Sequence, residues 1–322
     1  MEKTKVSVIV PCYNVGELIT RLLDAFERQD YTNFEVIFVN DGSSDNTSKV
    51  ITEFIRKASS INRYKLIDKE NGGPGSARNA GLDVATGNFV LFIDGDDYIY
   101  PQALSKLVAL MSDDVDVGVG AFVGHDGIVL KFPHIDDWEK WLQKTMTGGA
   151  LTMWNKLFRR SIIENCHIRF DTKARKSEDH LFTAEYFVNC SRKIAVTDYP
   201  VYKYELNTMS LSNIASTTNV FSPWIADSVY MAVRIYGLFK PHVSASTLRE
   251  LRYDTYHKYR RIRHEAHAMR YTDRAFYDNI YNELRKVIPL WEIPFLAIRR
   301  RASIITESLK RKVKKRLCSD IS

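Results

Sequence analysis

The 322-residue chain is 45% hydrophobic and 26% charged, long enough to bury a substantial core and to form two domains or one domain with an appendage. No apolar run approaches the roughly 18 residues of a membrane span, and the N-terminal MEKTKVSVIV lacks the long apolar core and cleavage site of a signal peptide, so the expected compartment is the cytoplasm. The formal charge of +7 is uneven: Ile298 to Leu317 holds nine Lys and Arg against Glu307 alone, which leaves the remainder near neutrality. Cys12, Cys166, Cys190 and Cys318 are scattered, without the paired spacing of a zinc site or a disulfide framework.

Lys5 to Val10 and Phe34 to Val39 are β-rich apolar runs, and Tyr64 to Ile67 is a third candidate strand. Helical spacing follows the first two, through Leu18, Leu22, Leu23 and Phe26, then through Val50, Ile51, Phe54 and Ile55 with Asp45 or Thr47 as the cap. The connection GPGSARNAGLDVA leads to NFVLFIDGDDY, where five apolar residues run directly into Asp94, Asp96 and Asp97. An apolar run of this type reads as a strand buried on both faces, as in parallel sheets, whose carboxyl ends are where open α/β folds bind ligands. The alternation predicts an α/β, doubly wound, mainly parallel Rossmann-like sheet over roughly the first 110 residues. Short strands with Gly turns are expected over 113–132 and an amphipathic helix over 135–144. Beyond about Ser216 the chain turns helical and rich in Tyr and Arg, which places a domain boundary near 215/216.

Three further segments fall at the carboxyl ends of predicted strands or just beyond: Pro11-Cys-Tyr-Asn14, Asn40-Asp-Gly-Ser-Ser-Asp45 and Asn71-Gly-Gly-Pro-Gly75 with Arg78-Asn79. Each alone reads equally well as an ordinary turn. In this order, and with MWNKLFRRSII and SEDHLF further on, residues 5 to 212 resemble glycosyltransferase family 2, whose nucleotide-sugar-binding domain has the GT-A fold. The motifs are specific for the family and not for the sugar.

The resemblance implies a donor site. Tyr13 lies against a uracil ring, Asp41 accepts from its N3–H, and Pro11 and Asn14 shape the pocket. Gly72 and Gly73 allow close backbone approach, and Arg78 offers a fork of donors to the diphosphate, its alternative being an ion pair on a helix surface. Asp94 reaches the ribose region. A diphosphate and an acidic cluster repel each other unless a cation sits between them, so Asp96 is the expected ligand of Mn2+ or Mg2+. Asp97 either supports that site from behind or caps the helix beginning near Pro101.

On the acceptor side, Glu178 and Asp179 open a predicted helix, a placement that also suits its dipole. The family's Glu-Asp motif makes Asp179 the candidate general base and Glu178 an acceptor contact or orienting group. In-line attack then inverts the anomeric centre. Trp154, Asn155 and Lys156 border the sugar or acceptor pocket by the same resemblance, with a plain core role open for Trp154. The segment from Val201 to Ser210 matches the loop that closes over the donor, where many relatives carry basic residues. Glu205 and Asn207 stand there, so no metal or phosphate contact is assigned to it.

In the tail, Ile298, Ala302, Ile305, Leu309, Val313 and Leu317 fall on one side of a helix with most cations elsewhere, preceded by the apolar stretch Val287 to Ile298. The pattern over 287–317 reads as an interfacial membrane anchor or as a solvated basic tail. No nucleic-acid motif accompanies the charge. The expectation is an inverting transferase of a hexose or N-acetylhexosamine from a UDP-sugar to a hydroxyl of a glycan acceptor, lipid-carrier-linked, in capsule or exopolysaccharide synthesis, peripheral on the inner face of the membrane. Its rivals are a non-catalytic sugar-nucleotide-binding scaffold of the same fold and a glycoside hydrolase, which uses two carboxylates without a uridine pocket.

Overall fold

The computed structural model describes residues 4–135, 137–146, 149–191, 193–207 and 223–296. The expected boundary near 216 and the anchor pattern from 297 onward lie outside these residues.

Four strands build the half that carries the donor motifs: β1 (Val6–Cys12), β2 (Phe34–Asp41), β3 (Tyr64–Lys69) and β4 (Phe89–Phe92). They lie parallel in the order β3-β2-β1-β4, and every residue of β2 and β4 is buried, as continuous apolar runs require. Helices α1 (Thr20–Glu27), α2 (Thr47–Lys57) and α3 (Pro74–Val84) make the crossovers. The cap position of α2 is Asn46, between the two residues expected there, and Asp45 beside it accepts from the Thr47 amide and hydroxyl.

Beyond β4 the sheet becomes mixed. β5 (Tyr98–Ile99), α4 (Ala103–Val108), β6 (Val117–Val123), β7 (Val129–Leu130), α5 (Trp138–Thr145), β8 (Lys156–Arg159), α6 (Arg160–Asn165), α7 (Glu178–Asn189) and β9 (Ile194–Lys203) follow. The order continues β4-β8-β6-β9-β5; β8 is antiparallel to both β4 and β6, while β6 and β9 are parallel. The mainly parallel expectation therefore describes the first half alone. An antiparallel β8 needs no crossover helix, and its four residues carry no signal of direction.

Helices α8 (Asp227–Phe239), α9 (Ala245–Ala268) and α10 (Arg274–Arg285) close the described chain. One hydrophobic core runs from Val6 to Leu251 and takes in Met231, Ile235 and Phe239 of α8; a second gathers Tyr256, Ile262, Ile280, Leu284 and Leu296. Polar ties join the helices to the sheet half: Arg234 pairs with Asp171, and Asp227 accepts from the Arg175 amide at 2.8 Å. Among the described residues no helix is long and apolar enough to cross a membrane.

Candidate active site

Because β1, β2 and β4 are parallel, their carboxyl ends share one rim, and the segments after them converge there. Tyr13 is 53% exposed, with its ring available at the surface. Asn14 next to it adopts a left-handed φ of 51° and is held by Ser44, whose amide donates to its Oδ1 at 2.9 Å. Asp41 is buried and nearly saturated, accepting from Lys69 Nζ at 2.6 Å and from the amides of Gly72 at 3.0 Å and Gly73 at 2.7 Å. The glycine turn is thus strapped to β2 by one carboxylate. Gly73, with φ of 84°, opens α3 in a conformation that a side chain would strain.

Gly95 explains the spacing of the acidic run: a Cβ there would stand 3.1 Å from the Pro11 carbonyl oxygen. The three aspartates take different environments. Asp94 is part-exposed and accepts from Arg78 Nη2 at 2.8 Å. Asp96 accepts from Asn207 Nδ2 at 2.8 Å, and burial followed by the Asp94 charge pushes its carboxyl up. Asp97 is only 2% exposed; Tyr202 donates to one of its oxygens and the Glu205 amide to the other at 2.7 Å. It does not cap α4, whose cap position is Gln102. Asp97 instead pins the end of β9 beneath the cluster, and burial, then Asp94 and Asp96, push its proton affinity well up.

Arg78 is buried and forks between two carboxylates, Glu178, a hundred residues further along the chain, at 2.7 Å through Nη1 and Asp94 through Nη2. Burial would weaken its hold on the proton, but the two acids more than reverse that. Its charge is committed inside the protein rather than to open solvent. Glu178 is itself buried, and burial raises its carboxyl against the pull of Arg78. Ser177 before it stands at a left-handed φ of 64°, a strained setting for a residue with a side chain, at the start of α7. Asp179 keeps 21% of its side chain exposed, with His180 Nε2 3.9 Å away; burial lowers the imidazole's pKa, so it is mainly uncharged at neutral pH.

The residues of the Trp154 motif turn inward. Asn155 and Lys156 are fully buried: Asn155 donates to the Gly120 carbonyl at 2.8 Å, and Lys156 Nζ meets Gly149 O at 3.1 Å, Thr152 O at 2.6 Å and Asn155 Oδ1 at 3.0 Å. Both brace the 149–156 turn. Trp154 stacks on Tyr202 with centroids 4.5 Å apart. Two residues that motif reading left unassigned therefore enter the site's frame: Asn207, on the Asp96 carboxylate, and Tyr202, which joins Asp97 to Trp154. Neither pairing leaves a trace in sequence spacing.

Among the described residues no three His, Cys, Asp or Glu side chains are already gathered for a metal ion. The donors still fit a hard divalent ion, which commonly takes one or two carboxylates and completes its shell with substrate phosphates and water. The carboxyls of Asp96 and Asp97 are raised first by burial and then by the neighbouring acids, and a cation would relieve the second of these.

The profile of glycosyl transferase family 2 matches residues 7–172, which is half of the chain. The chain belongs to that family. Among family 2 relatives, the glycosyltransferase EpsH of Bacillus subtilis is 30% identical over 224 residues, covering 66% of this chain and 63% of EpsH. TarS of Staphylococcus aureus, a poly(ribitol-phosphate) beta-N-acetylglucosaminyltransferase, is 30% identical over 213 residues, covering 62% of this chain and 35% of TarS. The chain thus spans less than two thirds of either relative. The crystal structure of S. aureus TarS 1-349 in complex with UDP-GlcNAc superposes with a TM-score of 0.68 at 24% identity, over 88% of this chain and 82% of that one. The mannosyltransferase PcManGT from Pyrobaculum calidifontis, in complex with GDP-Man and Mn2+, superposes with a TM-score of 0.57 at 17% identity, over 96% and 87%. These likenesses establish the GT-A fold of glycosyltransferases.

Proposed function

We propose that the chain transfers a hexose or N-acetylhexosamine from a UDP-sugar to a hydroxyl of a glycan acceptor, with inversion at the anomeric carbon. The observation that carries the reading is the Arg78 fork, which ties Asp94 of the donor motif to Glu178 of the acceptor motif across one rim. Tyr13 supplies a flat face for the base, Asp41, spent on Lys69 and the Gly72 and Gly73 amides rather than free for the base's N3–H, holds the glycine turn that borders it, and Asp94 supplies the ribose contact. Asp96 holds a divalent cation, Mn2+ or Mg2+, which supplies Lewis-acid stabilisation of charge on the departing diphosphate. Asp179, part-exposed, accepts the acceptor's proton as the new glycosidic bond forms, and Glu178, locked by Arg78, fixes the start of the helix that carries Asp179. Relatives and neighbours named for UDP-GlcNAc and Mn2+ chemistry support the donor and cation classes.

The residues to about 215 form the catalytic unit in this reading, and the helices after them an appendage. The basic run from Ile298 to Leu317 draws the chain to the inner face of an anionic membrane, where a lipid-carrier-linked glycan, a precursor of capsule or exopolysaccharide, presents the accepting hydroxyl.

The decisive experiment pairs Asp179→Asn with a panel of UDP-sugars and Mn2+, following UDP release. Loss of a general base lowers turnover by about 10²- to 10⁴-fold while UDP-sugar affinity holds. Unchanged turnover would remove Asp179 from the chemistry.

A further inference from the structure

The turn that ends the described chain has two faces of opposite character. Ile288, Glu292 and Leu296 point inward; Ile288 and Leu296 join the second core, and Glu292 lies 2.8 Å from Arg252 Nε of α9. Arg285 donates to the Ile288 carbonyl and fixes the entry to the turn. Leu290, Trp291 and Phe295 point the other way and are 60%, 68% and 64% exposed. Few other large apolar side chains in the described chain are so bare, and these three sit within six residues of one another on a turn held in place from beneath.

We propose that Leu290, Trp291 and Phe295 form a wedge that enters the interfacial layer of an anionic lipid bilayer. The inference rests on the membrane association proposed above and names the part of the chain that penetrates. Two observations choose lipid over a second copy of the chain. The three side chains together expose roughly 400 Å2, about half of the roughly 800 Å2 that each partner buries in a stable protein interface. Directly after them in sequence come nine cations against one acid, a charge that complements anionic headgroups and opposes self-association of like tails. Trp and Phe beside a basic segment is also the composition that settles at the boundary of headgroup and acyl chain. The basic run brings the chain to the surface; the wedge resists its release when salt screens that attraction.

The test sediments the full chain with vesicles of phosphatidylcholine alone and of phosphatidylcholine with phosphatidylglycerol, at low salt and at about 0.5 M, where the screening length falls to about 4 Å. The parent chain should pellet with anionic vesicles at low salt and keep a bound fraction at high salt. The double variant Trp291→Glu/Phe295→Glu should lose that salt-resistant fraction by about tenfold or more, and Trp291→Tyr/Phe295→Leu should retain most of it. A UDP-dependent rise in melting temperature, equal in parent and variants, shows that each is folded. Partitioning of the Glu variant equal to that of the parent in both salts overturns the wedge while leaving tail-driven binding intact. A dimer in sedimentation velocity that the Glu variant abolishes overturns it in favour of self-association, and a parent that ignores anionic vesicles removes the membrane reading altogether.

Discussion

Asp97 shows how a residue can belong to an acidic motif without holding anything outside the protein. Its carboxyl is pushed up by burial and by Asp94 and Asp96, so in the folded chain without a cation it favours the protonated form. A raised carboxyl contributes its stability fully below the ordinary carboxylate range and loses it as pH rises through the folded value. Asp97→Asn copies the neutral acid in shape and should stay within about 1 kcal/mol of the parent near pH 4 in urea unfolding, while lacking the parent's loss of stability between the unfolded value of about 3.9 and the folded value of about 9. Asp97→Leu strands the Tyr202 hydroxyl and the Glu205 amide and should cost about 1–3 kcal/mol. Arg78 is the contrasting case. The sequence shows a cation in a glycine-rich motif, which invites a phosphate partner, and nothing in a linear pattern announces a carboxylate a hundred positions away. The same limit applies to Lys156: its neighbours in sequence look like a polar rim, and only the tertiary turn shows three internal acceptors closing around the ammonium.

At the scale of elements, the parallel strands were legible because burial on both faces forces an unbroken apolar run, as in FEVIFV and FVLFI. The start of α7 was legible through Glu178 and Asp179, and that of α2 to within a residue or two through Asp45 and Thr47. The mixed half was not, since β5 has two residues, β8 has four, and direction is decided by what each strand finds beside it. The margin of the parallel half nearest the amino ends of its strands carries its own polar lock. Glu35 of β2 is buried; burial would raise its carboxyl, but Ser7, both donors of Thr86 and Lys5 together lower it to about 2. A depressed carboxyl contributes stability above its unfolded value near 4.3 and loses it as pH falls towards 2. Unfolding free energy should therefore drop by up to about 3 kcal/mol across that window from this group alone. Glu35→Gln should be less stable at pH 6 and flatter between pH 4.5 and 2.5, as followed by urea titration at each pH.

For the whole molecule, a site shared by so many segments implies that ligand binding and global stability rise together. Tyr13, Asp41, the glycine turn, Asp94 and Asp96 come from four separate stretches of chain, so UDP with Mn2+ should stabilise the fold against heat. The gain is about 2.7 kcal/mol when free ligand is a hundredfold above its dissociation constant. Asp96→Asn should abolish the increment due to Mn2+ and keep part of that due to UDP alone, as read by calorimetry; an undiminished Mn2+ increment would move the cation elsewhere. The antiparallel pairing of β8 with β4 carries a further consequence. It sets the amino end of one strand, with Lys156, beside the carboxyl end of the other, with the acidic run, so material inserted ahead of residue 156 and material inserted after residue 93 both emerge at the same lip. Since β1, β2 and β3 take no part in that pairing, a longer loop ahead of residue 156 would reshape the lip without shifting the register of the strands that lead to Tyr13 and Asp41.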